Sequence, residues 1–170
     1  MSRAWSSVTK ASIAAVLLGV TLRTWVYLAN PALWLDEMLL ANGILSLSLR
    51  DLLTVPLPYE QVSPRGFLLL ERAAVAIGGE SELALRFVPW LASIASLILF
   101  WRLAEQVLSG SAVPLALFVF SIAVPLVGFA GLVKQYAGDV AVAIALTILA
   151  SRLRARDHSA TQLVVAGAMG

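Results

Sequence analysis

Four apolar runs, residues 11–29, 83–103, 112–133 and 136–153, constrain this chain more than any motif in it, because each is about as long as a membrane crossing. An α-helix rises about 1.5 Å per residue, so roughly 20 apolar residues cover a hydrocarbon layer about 30 Å thick. Inside that layer backbone amides and carbonyls have no water to bond, which leaves the helix as the form a single run can take. The runs therefore predict an all-α fold, a polytopic transmembrane helical bundle. Composition agrees: the chain is 60% hydrophobic and 13% charged, against about 45–50% and about 25% in soluble domains. The lack of cysteine excludes a disulfide framework and thiolate metal sites, and His158 alone cannot build a histidine cluster. The net charge of +2 comes from scattered basic residues with no aromatic-interleaved stripe, so nucleic acid is excluded as an expected partner.

The chain opens on a short polar tail carrying Arg3 and Lys10, followed by the run 11–29. This run reads as a retained anchor with its tail inside. A secretory signal peptide fits less well, because the stretch is long and Tyr27 spoils the small-x-small pattern that cleavage before Asn30 would need. Arg23 falls in the outer half of the run, where the expectation is snorkelling to the headgroups, with an inward turn toward an acid as the alternative.

Residues 30–82 are mixed in character, punctuated by Pro31, Pro56, Pro58 and Pro64. Two helix-like pieces stand out, 36–53 and 64–77. The first holds Asn42, Gly43, Ser46, Ser48, Arg50 and Asp51, and the second holds Glu71 and Arg72 at its middle. The second piece would reach about 21 Å, short of a bilayer core of about 30 Å. Both read as juxtamembrane helices lying along the membrane surface in one outer loop. The last run, 160–170, is too short to cross and reads as the start of a further crossing, so the expectation for 1–170 is the N-terminal part of a single transmembrane domain.

Charge placement sets the topology. If 64–77 crossed the membrane, Arg152, Arg154 and Arg156 would fall outside, against the positive-inside tendency of short loops. If it lies flat, those arginines, Arg102, Arg3 and Lys10 are all inside. The flat arrangement gathers Asp36, Glu37, Asp51, Glu60, Glu71, Glu80, Glu82 and Asp139 on the outer side, with Arg50, Arg65, Arg72, Arg86 and Lys134 among them.

Four blocks within this layer carry a resemblance. They are Leu33-Trp34-Leu35-Asp36-Glu37; then Tyr59-Glu60-Gln61-Val62-Ser63-Pro64-Arg65-Gly66-Phe67-Leu68-Leu69-Leu70-Glu71; then Gly79-Glu80-Ser81-Glu82-Leu83-Ala84-Leu85-Arg86-Phe87; then Lys134-Gln135-Tyr136-Ala137-Gly138-Asp139. In this order they resemble the N-terminal half of bacterial family-39-like glycosyltransferases, GT-C membrane enzymes related to the protein O-mannosyltransferases and the lipid A aminoarabinose transferase. The resemblance covers about residues 11–156. The chain departs from the pattern in having Arg65 where a second proline is common, and in lacking the later membrane helices and C-terminal domain.

What the resemblance implies is a GT-C-like bundle in the cell (inner) membrane, with an outward-facing site that moves a sugar from a polyprenyl-phosphate donor to a glycan, lipid or protein acceptor, with inversion. Asp36 aligns with the acid that serves as base in the family. A carboxylate in reach of the acceptor hydroxyl can take its proton as it attacks. Adjacent helical positions point about 100° apart, so Glu37 is expected to serve another partner, a basic side chain or the helix N-terminus. Capping of the surface helix is the alternative account of both acids.

The leaving phosphate calls for a cation. Topology offers Lys134, with Tyr136 and Asp139 to position it, and Arg86, whose alternative partner is Glu82 four residues back. An ordinary snorkelling lysine is the other reading of Lys134. Arg65 and Glu71 on the second flat helix could line the cleft. Two adjacent carboxylates can bind a divalent cation through oxygen, but two acids do not define a metal site, and none is assigned. A transporter or channel-like subunit would carry its acids near mid-bilayer on a crossing helix, and a non-catalytic remnant of an enzyme would carry the blocks without the activity.

Overall fold

The computed structural model describes the backbone of residues 6–168 and the side chains of residues 6–154. Among these the chain is all helical, with no strand: α1 (Ser7–Ala29), α2 (Leu35–Ser46), α3 (Leu49–Thr54), α4 (Arg65–Gly78), α5 (Glu82–Val107), α6 (Ala112–Ile122), α7 (Val124–Gly128) and α8 (Tyr136–Ala168). Short 3₁₀ turns lie at Pro58–Glu60 and Phe129–Gly131. Helices α1, α5 and the Tyr136–Arg154 part of α8 are long and apolar enough to cross a membrane. A fourth crossing is present if the bent pair Ala112–Ile122 and Val124–Gly131 is one span. On α8 the side chains of Val142, Leu146, Leu149 and Leu153 form an exposed apolar stripe, as a lipid-facing surface requires.

The run 112–133 is not one straight helix: its two helical parts meet at an angle of 57°. Ala123 leaves helical geometry (φ −59, ψ 110), and Pro125, which has no N–H, cannot donate to the carbonyl of Ser121. The break leaves the carbonyls of Phe120 and Ser121 without their helical donors, and Arg23 takes both.

Arg23 therefore does not snorkel. It is fully buried, with Nη1 donating to Ser121 O and Gly19 O at 3.1 Å, Nη2 to Phe120 O at 3.4 Å and Nε to Ser93 Oγ at 2.9 Å. Its charge sits at the negative end of α6, where a guanidinium both satisfies orphan carbonyls and opposes the helix dipole. The inward turn occurs, but toward carbonyls and not toward an acid. Close approach of α1 and α6 depends on Gly19, where a Cβ would lie 2.7 Å from Ser121 Oγ and 3.0 Å from Leu97 Cδ2. Gly131 plays the same part against Val26, whose Cγ1 would be 2.6 Å from an added Cβ.

The segment between α1 and α5 is a packed layer. Leu40, Ala41 and Ile44 of α2, Leu52 of α3, and Phe67, Leu68 and Val75 of α4 form one buried cluster with Leu85 of α5 and Val133. The expected helix 36–53 is two helices, because Ser48 starts a new one: its Oγ accepts from Asp51 N at 3.1 Å and its hydroxyl donates to Asp51 Oδ2 at 2.7 Å. Helix α4 has 14 residues and is not among the candidate spans. Beyond the fourth run, the expected new start at residue 160 does not occur. No glycine or proline interrupts residues 139–166, and α8 continues unbroken to Ala168. Met169 and Gly170 lie outside the described residues.

Candidate functional site

Glu37 organises the site. It is buried (2% exposed) in the first turn of α2, and its two carboxylate oxygens bond in opposite directions. Oε2 accepts the Trp34 N–H at 3.0 Å, which caps the helix it belongs to. Oε1 accepts the Val133 N–H at 2.7 Å, from the turn that precedes α8. A charged acceptor shared by two backbone amides is a strong tie, and this one joins residues 96 positions apart. Glu37 is thus both a helix cap and a partner of another segment.

This tie sets the register of its neighbours. Asp36 precedes Glu37 and Lys134 follows Val133, and their side chains meet, with Lys134 Nζ 3.3 Å from Asp36 Oδ2. The lysine is mostly covered, whereas the Asp36 carboxylate is 59% exposed. Lys134 Nζ also donates to Gln61 Oε1 at 3.1 Å, and Ser63 Oγ lies 3.4 Å from Gln135 Oε1. The 61–63 segment therefore lies beside 134–135 as a strap. Ahead of the strap, Tyr59 (φ 58) and Glu60 (φ 56) are two consecutive non-glycine residues in the left-handed region, each costing about 1 kcal/mol or more.

Trp34, Asp36, Glu37, Leu132, Lys134 and Tyr136 line an open pocket of about 250 Å³. It combines an accessible carboxylate, an ammonium and two aromatic side chains. Phe129 backs Tyr136, with ring centroids 5.3 Å apart. The arrangement can bind an anion through Lys134 and, once that ammonium is drawn away, leave Asp36 free to accept a proton.

The remaining candidates lie elsewhere. Arg86 is fully buried and donates to Gly131 O at 2.7 Å, Glu82 Oε2 at 3.2 Å, Asn30 Oδ1 and Pro31 O. The expected Glu82 partner is present. Arg86 ties the end of α1 and the start of α5 to the 129–131 turn and does not line the pocket, so it acts on Lys134 only by holding the segment ahead of it. Asp139 is exposed in the first turn of α8 and does not line the pocket either. Arg65 lines a neighbouring hollow of about 310 Å³ with Gln61, Ser63 and Leu68.

Glu71 is fully buried on the inner face of α4, and neither carboxylate oxygen has a hydrogen-bond partner among the described residues. Its neighbour Arg72 does not pair with it but donates to the carbonyls of Ile44 and Leu45, both at 3.2 Å. Burial pushes the Glu71 carboxyl up to about 9, so at neutral pH it is a neutral acid.

Gln61, Ser63 and Gln135 were not singled out by sequence reasoning. Each stands inside one of the quoted blocks, but their pairing spans more than 70 positions and no local spacing encodes it. Among the described residues no cluster of three or more His, Cys, Asp or Glu side chains could hold a metal ion. No protein-family model matches the chain, and no curated protein or solved structure does.

Proposed function

We propose that the chain carries the donor-phosphate site of a membrane glycosyltransferase that takes its sugar from a polyprenyl-phosphate donor. The observation that carries this reading is the Asp36–Lys134 pair, 3.3 Å apart in an aromatic-walled pocket beside helices long enough to cross a membrane. The order of the four blocks supports it independently. In this reading the pocket opens on the outer face of the cell membrane, α4 lies along that face, and the chain works as the N-terminal part of the bundle.

The donor phosphate takes the Lys134 ammonium from Asp36, and the released carboxylate becomes the base. The acceptor hydroxyl gives its proton to Asp36 while its oxygen bonds the anomeric carbon from the face opposite the phosphate. The bond from that carbon to the phosphate oxygen breaks, its electron pair leaves with the polyprenyl phosphate, and Lys134 stabilises the charge that develops there. Trp34 and Tyr136 offer flat apolar walls to the sugar or to the first isoprene units. Acids in a conducting helix would support a transporter better, but the pocket acid stands in the first turn of α2, outside every candidate span.

The test is sugar transfer from a radiolabelled polyprenyl-phosphate donor in membranes carrying the protein in its natural full length. Lys134→Ala should raise the donor KM and slow the chemical step together, for a combined loss of about 10² or more in kcat/KM. Transfer at the wild-type rate by this variant would remove the proposed clamp.

A further inference from the structure

Lysine carries three N–H donors on a flexible four-carbon stem, so an unassisted Lys134 would spread its ammonium over many positions. Here Gln61 Oε1 accepts one of its N–H groups at 3.1 Å, and Asp36 Oδ2 holds its charge as an ion pair at 3.3 Å without hydrogen-bond geometry. With one N–H direction fixed by Gln61 and the charge drawn toward Asp36, the amine is held at the pocket with N–H groups left to donate. The residue lines the pocket, whose other walls among the described residues are Asp36, Glu37, Trp34, Leu132 and Tyr136.

We propose that Gln61 is a positioning residue: by accepting one N–H it holds the Lys134 ammonium beside Asp36 so that a remaining N–H is presented to a phosphate oxygen in the pocket. The proposal rests on the reading of this pocket as a lipid-phosphate site. Leu57, packed against the buried cluster, anchors the chain ahead of the strap, and Gln61 itself lies beyond that anchor. Tyr59 and Val62 are 60% and 87% exposed, so the strap has no apolar anchor there, and its ties to the 134–135 segment are Gln61–Lys134 and Ser63–Gln135. The left-handed pair Tyr59 and Glu60 turns the chain so that Gln61 reaches the lysine. A neutral amide suits this task, because it accepts from the ammonium without adding a charge that would compete with the incoming anion. When phosphate binds and Asp36 is released, Gln61 remains as the acceptor that keeps the amine in place.

The experiment uses the full chain in lipid nanodiscs and two probes with the same isoprenoid tail, farnesyl phosphate and farnesol, with binding followed by calorimetry. Gln61→Met keeps the length and removes the acceptor. It should weaken farnesyl phosphate binding by about five- to tenfold and leave farnesol unchanged. Gln61→Glu keeps the shape and adds a charge; it should weaken the phosphate more strongly, by a factor that shrinks as salt is raised.

Loss of both probes in parallel for both variants would mean a structural role and would overturn the proposal. Wild-type phosphate binding by Gln61→Met, with binding lost in Lys134→Ala, would overturn the role of Gln61 and keep the phosphate site. A wild-type chain that binds farnesyl phosphate no better than farnesol would overturn both.

Discussion

Asp36→Asn should lower sugar transfer by about 10² to 10⁴, the usual contribution of a general base, while donor binding stays intact. The substitution keeps the size of the side chain and removes its basicity. It also removes the ion pair with Lys134. The lysine is mostly covered, but the Asp36 carboxylate is 59% exposed and screened by solvent, so the pair is worth about 1 kcal/mol and freeing the lysine should tighten donor binding by about fivefold at most. A large fall in kcat with an unchanged or slightly lower donor Kd is therefore the expected signature. Unchanged transfer would leave Asp36 as no more than an acid in the first turn of α2.

The second large effect concerns stability. Replacing Glu71 with glutamine should stabilise the protein at pH 7 and remove a pH dependence that the wild type carries. The Glu71 carboxyl is raised from about 4.5 to about 9 in the folded chain by burial. Between those values the folded state holds a proton that the unfolded state has released, so stability falls as pH rises, by about 1.4 kcal/mol per unit. At pH 7 the accumulated cost is about 3 kcal/mol, from roughly 2.5 units at that slope. Glutamine cannot ionise and carries no such cost, although its amide is buried without partners as the carboxyl is. Thermal unfolding in nanodiscs between pH 5 and 9 should show the wild type falling relative to Glu71→Gln across the range. A constant difference between the two would mean that Glu71 has a partner or solvent access in the folded protein.

Much of the helical architecture is legible because hydrophobic run length is a direct physical requirement of the bilayer. The runs at 83–103 and 136–153 correspond to α5 and α8, and the proline-started piece at 64–77 corresponds to α4 with its ends shifted by one residue. The division between α2 and α3 was legible in principle, since Ser48 followed three residues later by Asp51 is a helix-start signature inside an apolar stretch. What could not be read were effects that need two distant segments at once. Pro125 signals a break in 112–133, but that the freed carbonyls would hold Arg23 depends on α1 packing against α6 through Gly19.

The same distinction applies to the site. Charge topology brings Asp36 and Lys134 to one face and no further. Their contact follows from the bond between Glu37 and the Val133 amide, and a backbone donor leaves no trace in the sequence. Arg86 illustrates the converse: its position at the start of a helix reads as an anion clamp, whereas its donors are taken by Gly131, Asn30, Pro31 and Glu82.

The most direct measurement of the central claim is photocrosslinking of a polyprenyl phosphate that carries a photoactivatable group on its first isoprene unit, in membranes containing the protein. The lipid should attach to the 33–37 and 132–136 segments, unmodified polyprenyl phosphate should compete it away, and Lys134→Ala should abolish the attachment. Attachment confined to other segments, or undiminished in Lys134→Ala, would contradict the assignment of this pocket to the donor phosphate.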